Sequence, residues 1–155
     1  FLTTKKVKMQ HVKPHGALYN MAAVNEKIAQ AIAQAVYDVS PELILYGLAS
    51  SELTRAGEKV GLKTVHEVFA DRTYQQDGTL TKRNESNALI TDGKRAVAQI
   101  IEMIKEGTVT SVQNTKFPLQ AHSICVHGDG EHAVQFAQLT RTKLEQQGIV
   151  VKAFQ

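Results

Sequence analysis

Two hydrophobic rhythms alternate along the chain. Short runs are apolar at nearly every position, and longer stretches repeat their apolar residues every three or four positions. Continuous runs bounded by turn residues read as buried strands, and the three-to-four spacing reads as helices that bury one face. Strands are predicted at 7–12, 43–50 (LILYGLAS), 62–70 (LKTVHEVFA) and 122–129 (HSICVHGD), with a last one in IVVKAF. Helices are predicted in AAVNEKIAQAIAQAVYDV, where Val24, Ile28, Ile32 and Val36 share a face, and in SELTRAGEKVG, KRAVAQIIEMIKEG and EHAVQFAQLTRTKLEQQG. Ser50 and Ser51 are placed to cap the second helix and Gly61 to end it. A strand–helix alternation of this kind specifies an α/β fold with a parallel sheet, whose strands are apolar on both faces because helices cover them. One segment breaks the rhythm. The polar stretch 71–92, with turn signals at Asp77-Gly78 and Asp92-Gly93, exceeds the ~12–15 residues beyond which unstructured connections tend to be functional or disordered.

In parallel α/β folds the ligand lies at the carboxyl ends of the strands. The first strand ends in Lys13-Pro14-His15-Gly16, the second in Ser50-Ser51-Glu52, the third carries Glu67 and ends in Asp71-Arg72, and the fourth ends in His127-Gly128-Asp129. The turns that enter the strands carry no such cluster. Each group has a plainer reading: a tight turn at Pro14-His15-Gly16, a surface ion pair at Asp71-Arg72, a helix cap at Asp129. Glu67 inside an apolar strand resists one, because an unpaired buried carboxylate is costly. His11, His122 and His132 read as surface positions and Cys125 as core. Together the strand ends supply cations for an anion, and histidines and carboxylates for proton transfer near neutral pH. These types point to hydrolysis or ring opening of an amide-like bond. The same types leave room for a divalent metal, although HExxH, P-loop and GxSxG patterns are absent from the sequence.

Composition narrows the field without deciding it. At 155 residues, 43% hydrophobic and 21% charged, the chain suits one globular domain, 1–155. The formal charge of +3 comes from scattered basic residues, which argues against a nucleic-acid interface. No apolar run approaches the ~20 residues of a membrane span. One cysteine precludes an internal disulfide and suits a cytoplasmic location. The opening FLTTKKVKMQ has neither an initiator Met nor a signal-peptide pattern, and the chain reads as the remainder of something longer.

Three stretches, HVKPHGALYN (11–20), EVFADRTYQQDGTLTKR (67–83) and SICVHGDGEHAV (123–134), resemble the LamB/YcsF family, to which the A-type subunit of the bacterial ATP-dependent 5-oxoprolinase belongs. LYGLASSEL and LEQQGIVV agree in weaker detail. The resemblance implies an irregular, seven-stranded parallel β/α barrel of the glycoside hydrolase/deacetylase type, here as its C-terminal portion, since the family's acidic and His-containing N-terminal motifs do not occur in this chain. It implies opening of the 5-oxo-L-proline lactam to L-glutamate, with ATP as cosubstrate and B- and C-type subunits as partners. On this basis Lys13 and Arg72 are expected to hold the substrate carboxylate or a phosphate. Asp71 or Glu67 is expected to act as general base, Asp129 to orient His127, and His15 to protonate the departing nitrogen. The alternatives are a metal-dependent hydrolase or deacetylase of a carbohydrate or N-acyl amide, and a non-catalytic subunit that binds a metabolite. In a partial barrel the edge strand at 7–12 would also be open to another chain.

Overall fold

The computed structural model describes residues 3–5, 7–128 and 133–153. Helices alternate with a four-stranded sheet of order β1-β2-β3-β6, formed by β1 (His11–Val12), β2 (Ile44–Leu48), β3 (Lys63–Phe69) and β6 (Ser123–Cys125). The pairs β1–β2 and β3–β6 are parallel. This is the α/β class that the hydrophobic pattern predicts. The chain divides into two compact units, Phe1–His66 and Glu67–Gln155, with the division inside β3.

In the first unit, β1 is far shorter than the predicted 7–12, and Val7 and Met9 are exposed. The helical stretch after it is two helices, α1 (Ala17–Val24) and α2 (Glu26–Val39), where the periodicity predicts one. Asn25 makes the break. Its backbone N–H closes α1 on the Met21 carbonyl, and its extended backbone lets its side-chain oxygen accept the Ile28 N–H and cap α2. Ala29, Ala33 and Val36 form the buried stripe of α2 and join Leu43, Leu45, Leu53 and Leu62 in one core. α3 (Glu52–Val60) follows β2. Ser51 takes its N-cap position without a side-chain hydrogen bond to the helix, and Gly61 ends it at a φ of 89°, the left-handed conformation of a helix stop. Gly57 sits inside α3, where a Cβ would meet Thr64 Cγ2 at 2.6 Å and Leu45 Cδ2 at 3.0 Å. The helix accepts the conformational cost of glycine there because strand and helix approach too closely for a methyl group.

In the second unit, β3 and β6 run in register with Glu67 opposite Ser123, Val68 opposite Ile124 and Phe69 opposite Cys125. α4 (Gly93–Lys105) opens with Asp92 accepting the Lys94 N–H, so Asp92-Gly93 is a helix start and not the turn its sequence suggests. An antiparallel hairpin, β4 (Thr108–Thr110) with β5 (Lys116–Pro118), occupies the connector after α4. α5 (Ala133–Gln146) buries Leu144 with Ala70 and Ile100. The stretch predicted as a fifth strand forms no strand over 149–153; Ile149 donates its N–H to the Leu144 carbonyl and packs against that core. None of the described helices is long and apolar enough to cross a membrane.

Candidate functional site

The polar segment 71–92 is folded by its own side chains. Arg72, only 3% exposed, turns back into the segment and donates through Nε to the Ala88 carbonyl at 3.3 Å and through Nη2 to the Thr81 carbonyl. Thr73 Oγ1 donates to the Asn87 carbonyl and bonds Thr81 Oγ1 at 2.7 Å, and the Thr81 N–H returns to the Thr73 carbonyl. Tyr74 is fully buried, and its hydroxyl oxygen accepts the Phe69 N–H at 2.8 Å, which ties the segment to the end of β3. Burial pushes the Tyr74 phenol well above its ordinary range, so it stays neutral. Burial also lowers the Arg72 guanidinium from its usual value, the charge of Arg83 adds to this, and Asp71 opposes it. The result is a two-ended clamp at Thr81 and Ala88. Between these two buried residues, 82–87 are all exposed.

That exposed stretch delivers Arg83 to the end of β6. Its Nη2 lies 2.8 Å from His127 Nε2, and His127 Nδ1 lies 2.7 Å from Asp71 Oδ2. A guanidinium can only donate, so Nε2 is the accepting nitrogen. The imidazole proton is then on Nδ1, donated to Asp71, and His127 is the neutral Nδ1–H tautomer. Its ring stacks on Phe69, with centroids 5.8 Å apart. The His127 and Asp71 side chains are 25% and 21% exposed, so the pair is partly open to solvent. The second Asp71 oxygen, Oδ1, is buried and has no hydrogen-bond partner among the described residues.

Of the residues the sequence singles out, the second unit brings together Asp71 and His127, with Arg72 behind them. Glu67 lies on β3 at 4% exposure, and its charge contributes to raising the Tyr74 phenol. Asp129, expected to orient His127, lies outside the described residues, as does His132; the carboxylate on His127 is that of Asp71. Lys13 and His15 belong to the first unit. Both are exposed on a turn built on buried Pro14 and on Gly16 at φ 61°, and Lys13 Nζ lies 5.4 Å from the Tyr19 ring centre. Arg83 is the residue that sequence reasoning passes over. Its one signal is its place at the end of the EVFADRTYQQDGTLTKR stretch. Among the described residues, Asp71 and His127 are the two side chains here that could ligate a divalent cation, and the group next to them is a guanidinium. Among the described residues, no three His, Cys, Asp or Glu side chains gather into a metal-binding group.

Comparison with known proteins agrees with the three motif stretches. The model of the LamB/YcsF family matches residues 1–155. The chain belongs to the LamB/YcsF family. It is 59% identical over 154 residues to the A-type subunit of 5-oxoprolinase from Bacillus licheniformis, covering 99% of this chain and 61% of the relative. Against the protein of the same name from Bacillus subtilis strain 168 it is 58% identical over 153 residues, covering 99% and 60%. Among solved structures it resembles a lactam utilization protein from Thermus thermophilus, with a TM-score of 0.86 and 35% identity, covering 99% of this chain and 61% of that one. The chain thus spans about 60% of the length of the curated relatives it matches.

Proposed function

We propose that this chain carries the ring-opening chemistry of a 5-oxoprolinase, the conversion of 5-oxo-L-proline to L-glutamate, within an ATP-coupled cytoplasmic assembly with B- and C-type subunits. The relatives named as 5-oxoprolinase subunits and the neighbour named a lactam utilization protein support the reaction. The word "subunit" in those names supports the assembly. The structural observation that carries the reading is the Asp71–His127 pair, with the tautomer of His127 held by hydrogen bonds at both ring nitrogens.

The contacts of the two Asp71 oxygens support a division of roles. One of its oxygens is bonded to His127 and the other is shielded from solvent, which favours Asp71 as the group that orients the imidazole over one that meets water directly. Nε2 of His127 then takes a proton from the attacking water as its oxygen bonds to the lactam carbonyl carbon. The resulting imidazolium is stabilised by the Asp71 carboxylate through Nδ1–H. When the C–N bond breaks, its electron pair goes to nitrogen, and Nε2–H supplies the proton that makes the amine of glutamate. Phosphorylation of the lactam oxygen by ATP, with ADP leaving, would make that carbon more electrophilic. Opening of the ring would then leave an acyl phosphate, whose hydrolysis releases inorganic phosphate, and we assign both phosphoryl steps to the assembly as a whole. Arg72, buried on two loop carbonyls, serves in this reading to hold the segment, leaving Arg83 as the cation that meets the substrate.

The test is Asp71→Asn in the full-length protein, assembled with its partners and assayed for glutamate released from 5-oxoproline and ATP. Loss of the oriented base should cost ~10²–10⁴-fold in turnover. Turnover close to that of the parent enzyme would remove Asp71 from the mechanism and overturn the reading.

A further inference from the structure

His127 carries an arrangement that a resting base would not need. Its proton-accepting nitrogen, Nε2, is already occupied by Arg83, so water cannot approach it along the lone pair. Arg83 is exposed and comes from the exposed stretch 82–87, while the clamp that positions this stretch, Arg72 on Thr81 and Ala88, is buried. The guanidinium is therefore held at its base and open to solvent at its tip, where another acceptor can compete for it. Such a donor beside a fixed His–Asp pair makes a cover.

We propose that Arg83 is a carboxylate-responsive cover on His127: the anionic group of the substrate draws the guanidinium off Nε2 and onto itself, and so exposes the base only when substrate is present. The chemistry favours the exchange. A neutral imidazole nitrogen is a single, uncharged acceptor, whereas a carboxylate offers a guanidinium two charged acceptors in the planar geometry it matches. The Asp71 hydrogen bond stays in place during the exchange, so His127 keeps its Nδ1–H tautomer and presents a lone pair at Nε2 without having to turn. The ligand class that follows is a small anion whose carboxylate lies close to the group to be attacked. In 5-oxoproline the carboxylate and the lactam share one five-membered ring, and in that respect the inference rests on the proposed function. A neutral lactam would meet the covered base.

The experiment is ¹⁵N NMR of the full chain labelled at histidine and arginine, with 5-oxo-L-proline and with 2-pyrrolidinone, the same ring without its carboxylate. In the ligand-free protein His127 should show a protonated Nδ1 and a hydrogen-bonded Nε2. Addition of 5-oxoproline should shift Nε2 towards a free lone pair and shift the Arg83 guanidinium with it, and 2-pyrrolidinone should move neither. Arg83→Met should give the uncovered Nε2 signal without any ligand, and in the assembled enzyme it should raise KM for 5-oxoproline by ~10–100-fold, with kcat much less affected. Arg83→Lys, which keeps the charge but not the fork, should recover part of the KM. The outcomes separate the two readings. If 5-oxoproline shifts His127 while Arg83 stays on Nε2, or if Arg83→Met leaves the Nε2 signal unchanged, the cover is overturned and the ring-opening reading stands. If acetate displaces Arg83 but 5-oxoproline moves neither group, the cover stands and the lactam reading fails. If neither anion moves Arg83, the cover is overturned.

Discussion

Among the described residues, two histidines sit between a carboxylate and a donor, one in each compact unit, and they hold opposite tautomers. In the first unit the Ser50 N–H donates to His66 Nδ1 at 3.3 Å, so the ring proton is on Nε2, which lies 2.9 Å from Glu58 Oε1. In the second unit Arg83 donates to His127 Nε2, so the ring proton is on Nδ1 and faces Asp71. The composition of the two arrangements is nearly the same, and the donor makes the difference. A backbone N–H is locked by the chain around it, here at a Ser50 held at φ 59°, a left-handed conformation that a non-glycine residue adopts only where the surroundings impose it. An exposed arginine tip can leave. A histidine whose acceptor nitrogen is held by the backbone suits a structural strut; one whose acceptor nitrogen is held by an exposed side chain is, in the proposed reading, the base. Residue type alone does not separate these cases.

The comparison breaks most directly at the imidazoles. On the proposed function, His127→Gln in the full-length, assembled protein should lower glutamate formation by ~10²–10⁴-fold. His66→Gln keeps a side chain able to bond both Ser50 and Glu58, and should leave turnover within a few-fold of the parent. Equal losses in the two variants would erase the distinction between strut and base. A loss confined to His66→Gln would reverse it.

A smaller effect tests how the strand end beneath the reactive pair is held. Tyr74 reaches back from the polar segment to accept the Phe69 N–H, and the Phe69 ring carries the His127 stack. Tyr74→Phe preserves the packing and removes that acceptor from a buried N–H, at a cost of about 1–3 kcal/mol. Urea unfolding should record this cost, and the ¹⁵N signals of His127 should broaden as its stacking partner loosens. An unchanged urea midpoint would show that the Phe69 amide does not depend on the phenol.

The sequence discloses the parts that depend on local pattern and withholds the parts that depend on long loop closure. Strands such as Ile44–Leu48 are apolar on both faces, so their class and their ends are legible, and the strand ends point to Asp71 and His127. The break at Asn25 is hidden because the helical spacing of apolar residues runs through it, while one side chain that caps and one amide that terminates decide the geometry. The β4–β5 hairpin is hidden because its strands are only three residues each, too short for a hydrophobic alternation to show. Arg72 and Arg83 are the hardest to place. Both lie in one polar stretch, and nothing in their spacing tells that Arg72 is buried on carbonyls while Arg83 lies outside. That sorting comes from the threonines, Thr73 and Thr81, which close the loop and leave room for one guanidinium beneath it. The pairing of Arg83 with His127 spans 44 positions and has no local signature.

The smallest effect concerns the strut and its acid sensitivity. The His66 hydrogen bond lowers the Glu58 carboxyl from its ordinary 4.5, with the Thr64 hydroxyl at 3.1 Å helping and partial burial opposing. The sign follows from linkage. A carboxylate whose folded pKa is depressed contributes stability that is present above pH 4.5 and is lost as pH falls through the folded value. Glu58 is more than half exposed, so solvent screens the contribution and it should be small. Glu58→Gln should therefore be slightly less stable than the parent at neutral pH, and the two urea midpoints should converge as pH drops below 4.5. Parallel midpoints across that window would show that Glu58 is not bonded to His66 in its charged form. The Nε2–H tautomer of His66 would then be read from the Ser50 amide, without the Glu58 bond.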